Sequence, residues 1–281
     1  MSRHSSFDDL QGARPDPRAP DVIRLRQSRQ AQFRAVVGEA PAILRVESGV
    51  KFLRGAIEGI VPEGALTLMP ADLPLDVENR PAPGGIYRAT GLVLPRDVGG
   101  PRGTATAVAC TDPRALAAFE RALDLQRSVA APPSVRLHAA EEVLLWLAET
   151  GLVLPPPRPP LLTERIRMLC AEAIDRDWTA SEVARRMAMS EATLRRRLAA
   201  DGTTFSVLLT DLRMTRALGL LQTTDRPVGT IAAEVGYASA SRFALRFRDR
   251  FGLSPSAIRE RPDRLGTEVD RVGTTEVAPA I

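Results

Sequence analysis

The sequence predicts an α+β chain in two parts: a small β-sandwich or barrel with two following helices, and then an all-helical part built on an internal repeat. Short apolar runs punctuated by Gly and Pro continue to about residue 95, and helical periodicity takes over after Pro113. Beyond a proline-rich segment one helical pattern occurs twice. At 281 residues the chain is long enough for two domains.

The first part reads as strands because its apolar runs are short and bounded by turn residues. The runs are Phe33 to Val37, Ala42 to Val46, Val50 to Leu53, Ala65 to Met69 and Tyr87 to Leu94. Between two of them, Asp76 to Gly85 gathers Asp, Asn, Pro and Gly, which predicts a loop joining two strands. After Pro113, Leu116, Phe119 and Leu123 share one helical face, and Leu137, Ala140, Val143, Leu144 and Leu147 share another. These two amphipathic helices are expected to cover the sheet or each other, and one stripe is a candidate dimer seam. The run Leu154-Pro155-Pro156-Pro157-Arg158-Pro159-Pro160 favours an extended backbone and reads as a linker. The expected organisation is a disordered start (1–20), a first domain (21–152), a linker (153–160), a helical domain (161–262) and a disordered tail (263–281).

Several function classes fall away on composition. No run approaches the roughly 18 apolar residues of a membrane span. Met1 to Gln30 lacks the apolar core of a secretory signal, so the expected location is cytoplasmic, with no membrane partner. Cys110 and Cys170 are too few for a disulfide framework, and Cys170 sits in an apolar helical pattern as a small core residue. The two histidines, His4 and His138, support neither a catalytic triad nor a metal cluster, so no catalytic residue, metal or cofactor is expected. His138 with Glu141 and Glu142 has helical spacing but reads as a solvated edge. Net charge is +1 for residues 1–160, +5 for 161–262 and −2 for 263–281, so the basic excess lies in the helical domain. Every cation but Lys51 is arginine, a side chain suited to bidentate contacts with phosphates and guanines.

The helical domain repeats at an offset of about 48 residues. Val183-Ala184 and Met187 precede a break at Ala188-Met189-Ser190, and a new helix follows with Leu194 and Leu198 inward. Ile231-Ala232 and Val235 precede a break at Gly236-Tyr237-Ala238, and the next helix turns Phe243 and Phe247 inward. From Leu194 to Phe243 the offset is 49, so the second turn is one residue longer. The small Ala184 and Ala232 permit close helix approach. Ser190 and Ser239 are candidate N-caps of the second helices. An apolar helix through Phe205, Leu208, Leu209, Leu212, Met214, Ala217, Leu220 and Leu221 joins the two helix-turn-helix units. Held so, the projecting helices would suit adjacent major-groove segments roughly 34 Å apart.

Residues 161–262 resemble the AraC/XylS family of bacterial transcription regulators. The resemblance rests on Gly236 to Phe243 continuing to Phe247 through Arg259, on Trp178-Thr179, Ala184, Met189-Ser190, Leu194, Arg196 and Gly202, and on Leu212-Arg213-Met214, Arg216-Ala217 and Leu221 to Thr224 between them. It implies a sequence-specific regulator, expected to be an activator, with double-stranded promoter DNA and RNA polymerase as partners. By position the family's base contacts fall on Ala192, Arg195 and Arg196, and on Ala240, Ser241, Arg242 and Leu245. Arg197, Arg246, Arg248 and Arg250 suit phosphates or solvent. The chain departs from the pattern in having Leu245 where an arginine is usual, and one residue fewer between Leu194 and Gly202. Tyr237, Phe243, Phe247 and Phe251 read as core. Leu66 to Pro70, Asp76 to Asn79 and Tyr87 to Pro95 faintly resemble the cupin-like sensory or dimerisation domain ahead of some family members. That implies a small-molecule or protein effector, and a homodimer, at the first domain. A cupin metal site is not expected there, because residues 20–110 contain no histidine. A non-specific architectural DNA-binding protein is the alternative, and an enzyme with an appended DNA-binding domain a third reading.

Overall fold

Two antiparallel sheets face each other in the first part of the chain, in a computed structural model that describes residues 19–156 and 158–259. The strands are β1 (Asp21–Gln27), β2 (Ala31–Val37), β3 (Ala42–Ser48), β4 (Val50–Gly55), β5 (Gly59–Val61), β6 (Leu66–Met69), β7 (Pro74–Arg80) and β8 (Tyr87–Val93). One sheet has the order β1-β8-β3-β6 and the other β2-β7-β4-β5. Alternation decides what each strand buries. Val46, Leu53, Val77 and Tyr87 fill the space between the sheets. Ile43, Leu66, Leu68 and Leu92 face outward, onto α1 (Pro113–Arg127) and α2 (Pro133–Glu149). A strand covered on both sides loses polar alternation, which is why β3 is buried along most of its length.

The two helices start where the sequence signals a start. The Asp112 carboxylate accepts the Arg114 backbone N–H at 2.7 Å, with Pro113 in the first turn. Phe119, Leu123, Val143, Leu144 and Leu147 are buried under and between these helices, as the periodicity requires, and Leu116 and Leu137 are partly buried at the margin. The fold class is thus as expected, an antiparallel sandwich-like domain with two helices ahead of a helical region.

One loop expectation is corrected. Asp76 to Asn79 lie inside β7, and only the stretch after Arg80 turns. The polar residues in that strand have partners elsewhere in the fold. The Asp76 carboxylate accepts the Ala35 N–H at 2.7 Å, Glu78 pairs with Arg80 and takes a bond from Gln30, and Asn79 is buried in a polar chain. β1, β5 and β7 were not among the apolar runs. Within the proline-rich stretch Leu154 is buried and bridges to Arg102, so that side chain belongs to the core of the first domain. The expected disordered ends lie outside the described residues, except for Ala19 and Pro20. Among the described residues no helix is long and apolar enough to cross a membrane.

The helical region comprises α3 (Leu162–Ala171), α4 (Ala180–Arg186), α5 (Glu191–Ala200), α6 (Phe205–Thr223), α7 (Val228–Glu234), α8 (Ala240–Phe251) and a 3-10 turn at Ser256–Ile258. It holds two cores. Ile166, Cys170, Trp178, Val183, Leu194, Leu198, Leu208 and Leu212 form the first. Met214, Ala217, Leu221, Ile231, Phe243, Phe247 and Phe251 lie in the second, together with Ala31 and Phe33 from β2. Both cysteines are buried thiols, and burial pushes Cys170 up to about 11.

The chain's single lysine is inside the sandwich. Lys51 is 2 % exposed, donates from Nζ to Asn79 Oδ1 at 2.7 Å and lies 5.3 Å from the centre of the Tyr87 ring. Asn79 Nδ2 donates to Gln27 Oε1 at 3.0 Å, and that oxygen also accepts Gln222 Nε2 from α6 at 2.9 Å. A buried polar chain therefore runs from the sandwich interior to the helical region. Desolvation lowers the Lys51 pKa from 10.5 to about 7. Between those values the unfolded chain holds a proton that the folded chain has released, so stability rises with pH and is lost as pH falls toward 7. Denaturant titrations from about pH 7 to 9 should show this rise, with a slope approaching ~1.4 kcal/mol per pH unit for one proton. In Lys51→Met the rise should be absent, and a variant that keeps it would assign the slope to other groups.

Candidate nucleic-acid interface

The two repeats share the hydrogen bond that closes their turns, although only the first has a side-chain cap at the start of its leading helix. In the first, Thr179 caps α4 by accepting the Glu182 N–H at 3.2 Å, and the Met189 N–H returns to the Ala184 carbonyl at 3.0 Å. In the second, the Tyr237 N–H returns to Ala232 at 2.9 Å, the same closure 48 residues later. Ala184 and Ala232 are each 1 % exposed, small enough for the following helix to cross closely. Ala188 and Gly236 occupy equivalent left-handed positions, with φ of 56° and 83°. The second turn then contains Ala238 as its additional residue.

Each projecting helix begins at a serine cap. Ser190 Oγ accepts the Thr193 N–H at 3.2 Å, and Ser239 Oγ accepts the Arg242 N–H at 3.3 Å. Inner faces carry Leu194 and Leu198 in α5, and Phe243, Phe247 and Phe251 in α8, all buried. The aromatic rings pack edge-on or tilted in a row from the turn along α8. Tyr237 to Phe243 is 5.7 Å between centroids, Phe243 to Phe247 5.7 Å and Phe247 to Phe251 4.8 Å. These rings therefore hold the helix and do not face outward, and Tyr237 is half-buried against them.

The outer faces carry the candidate contact residues. Ala192, Arg195, Arg196 and Arg197 on α5 are exposed, as are Ala240, Ser241, Arg242 and Arg246 on α8. Arg195 meets Glu191 one turn earlier at 3.1 Å with its side chain 76 % exposed, a surface pair worth well under ~1 kcal/mol and easily exchanged for another anion. Among the described residues Arg196, Arg197, Arg242, Arg246 and Arg248 have no carboxylate partner. Leu245, half exposed, stands in the same outward row. Arg250 belongs elsewhere, since its Nε donates to Asp211 at 2.8 Å and its Nη2 to the Arg34 carbonyl at 2.7 Å.

Sequence reasoning missed the residue that joins the units. Arg213 extends from the middle of α6, donating to the carbonyls of Ile174 (3.1 Å) and Arg176 (2.8 Å) in the connection that leads into the first unit, and of Gly236 (3.4 Å) in the turn of the second. One guanidinium thus ties the α3–α4 connection and the second turn to the shared helix. Its position was visible in the linker-helix pattern, but its partners are carbonyls, which leave no side-chain signal. Away from this region, His138 Nδ1 lies 3.0 Å from Glu141 on an exposed helix edge. Among the described residues no cluster of His, Cys, Asp and Glu is suited to a metal.

Comparisons with known proteins bear on the same segment. A helix-turn-helix domain model matches residues 183–261. Over 102 residues the chain is 33 % identical to the HTH-type transcriptional regulator GadX of Escherichia coli O6:H1, covering 36 % of this chain and 37 % of that one. Over 93 residues it is 36 % identical to the HTH-type transcriptional activator FapR of Escherichia coli, covering 33 % and 36 %. The chain spans little more than a third of the length of these relatives. ToxT from Vibrio cholerae aligns over 85 % of this chain and 97 % of its own with a TM-score of 0.60 at 13 % identity. The same protein with an unsaturated fatty acid bound aligns over 87 % and 96 % at a TM-score of 0.52 and 13 % identity. At such identity the likeness is one of fold, and it extends across both parts of the chain.

The equivalent turn positions predict opposite responses. A Cβ at Gly236 would lie 2.7 Å from an Arg213 nitrogen and 3.0 Å from the Asp175 carbonyl, at a φ that L-residues avoid. Gly236→Ala should cost about 1–2 kcal/mol or more in denaturant unfolding. Ala188→Gly should be neutral or stabilising by up to ~1 kcal/mol, because it removes the left-handed strain. Equal losses in both would mean that backbone strain does not govern the turns.

Proposed function

We propose that the chain, which matches a helix-turn-helix domain model over residues 183–261 and resembles the AraC/XylS family there, is a sequence-specific DNA-binding transcriptional regulator acting as an activator. α5 and α8 read adjacent major-groove segments of promoter DNA. Ala192, Arg195 and Arg196 face base edges from the first unit, and Ser241 and Arg242 from the second. Arg197 and Arg246 lie further along each helix, where phosphates pass. The observation that carries this reading is the pair of capped helices with exposed arginine-rich outer faces and buried inner faces, which pack in the two cores that share α6. An arginine fork suits O6 and N7 of guanine. Leu245 offers a thymine methyl group an apolar contact at the place where the family pattern has a cation.

The sandwich domain supplies control in this reading, through an effector, a second copy of the chain or contact with RNA polymerase. It offers an apolar pocket of about 220 Å³ between the Ala56-Ile57 turn, Leu68, Leu73, Val108 and Leu152. Its lining favours a small, largely uncharged effector. No catalytic step is assigned to the chain.

Selection of bound fragments from a random DNA pool at ~0.15 M salt tests the proposal, because sequence-independent binding is weak there. A bipartite motif with halves about 10 to 10.5 base pairs apart is expected. Retention of all fragments alike would favour an architectural protein. On the selected site Arg196→Ala should cost ~1–3 kcal/mol and relax one base position, whereas Arg246→Ala should weaken every sequence similarly and lower the salt slope by about 1. A uniform loss for Arg196→Ala would reassign it to phosphate.

A further inference from the structure

The two helix-turn-helix units are not equally independent of the sandwich. The first core is made only of residues from α3 to α6 and the loops between them. The second contains Ala31 and Phe33 of β2, with Val36 packed against it. Phe33 is 1 % exposed, and its ring meets Phe251, the last residue of α8, edge to face at 5.5 Å.

β2 is shaped for this contact. Its pairing with β7 slips between Phe33 and Val36, and Ala35 adopts a left-handed φ of 47°. The Asp76 carboxylate secures the bulge by accepting the Ala35 N–H at 2.7 Å. The Arg34 and Ala35 carbonyls are released from the ladder and accept Arg250 Nη2 of α8 at 2.7 and 3.4 Å. A bulge re-aims a strand in this way, and a non-glycine left-handed residue persists only where its surroundings hold it. The turn between β1 and β2 adds the Ser28 hydroxyl, which donates to the Ile258 carbonyl at 3.2 Å just beyond α8.

On the other side the arrangement opens. A cleft of about 650 Å³ separates Gly38, Glu39 and Asp72 of the sandwich from Arg167, Met168 and Arg216 near the first unit. The nearest ion pair across it, Arg216 to Glu39, is 4.0 Å long.

We propose that β2 is a structural member of the second helix-turn-helix unit. Phe33 and the Arg34–Ala35 carbonyls, acting through Phe251 and Arg250, position the recognition helix α8, while α5 is positioned without help from the sandwich. The DNA half of the statement rests on the reading given under Proposed function. It makes Phe33 and Arg250 positioning residues for the second half-site, although neither faces DNA. Any event that shifts β2 then changes readout by one helix and leaves the other as it was.

The test compares the full-length protein with Phe33→Ala, Phe33→Leu and Arg250→Gln. Hydrogen exchange is followed for each, and DNA selection is run in parallel. In Phe33→Ala, amides of α7 and α8 should exchange at least about tenfold faster while those of α4 and α5 keep their rates. One half of the selected motif should lose base preference and the other keep it. Phe33→Leu should restore most of both. Arg250→Gln leaves the core filled, so it should fold and shift the same helix if Phe33→Ala does not fold. Equal acceleration in both units, equal weakening of both half-sites, or no change in either readout would overturn the proposal. If the unmodified protein selects no bipartite motif, the DNA reading fails, and the exchange pattern alone still decides whether β2 holds α8.

Discussion

One helix serves three packed interfaces, and the arrangement of everything downstream of the sandwich depends on it. α6 has 19 residues and spans about 28 Å. Leu208 and Leu212 near its start belong to the first helical core, and Met214, Ala217, Leu218 and Leu221 in its second half belong to the other. At its end Gln222 reaches Gln27 in β1. A rigid rod buried at both ends converts two local turns into a fixed separation. Arg213, at the point where one core gives way to the other, adds charge-assisted bonds to backbone carbonyls on both sides. The separation of the two units follows from side chains on this one element, to which β2 adds its hold on α8.

Polar groups at the interface between sandwich and helices are arranged to limit the cost of burying them. Gln27, Asn79 and Gln222 are each at most 8 % exposed, and they satisfy one another in a chain that ends on Lys51. Such a chain is specific in a way an apolar contact is not, since displacing either domain leaves several buried donors or acceptors unpaired. The same surface carries the Arg26–Asp225 pair at 3.0 Å, exposed at the rim, where it orients more than it stabilises. Apolar contact through Phe33 and polar contact through Gln27 thus both fall on the second unit and on the C-terminal half of α6.

Much of the helical region was legible because its signals are local and occur twice. The 48-residue offset, the alanines at the crossings, the serine caps and the inward Leu194 and Phe243 are all properties of short windows. The exposed arginine faces followed from the same periodicity. β7 was misread for the opposite reason. Asp76, Glu78 and Asn79 resemble turn residues until their partners on β2, the β1–β2 turn, Arg80 and β1 are known, and most of those partners lie more than 40 residues away. The roles of Phe33, Arg213 and Arg250 were hidden similarly. Phe33 looks like any core phenylalanine of a strand, and Arg250 looks like one more cation on a basic helix.

The burial of Lys51 has a consequence beyond pH. With the only lysine of the chain enclosed between two sheets, every side-chain cation at the surface is a guanidinium. Acylation of side-chain amines, the common covalent means of erasing positive charge from a protein, has no exposed lysine to act upon. The positive charge of the helical region is therefore beyond the reach of amine acylation. Its attraction for polyanions can be modulated by salt, by competing anions, by chemistry at arginine or by phosphorylation of hydroxyls beside the arginines, such as that of the exposed Ser241.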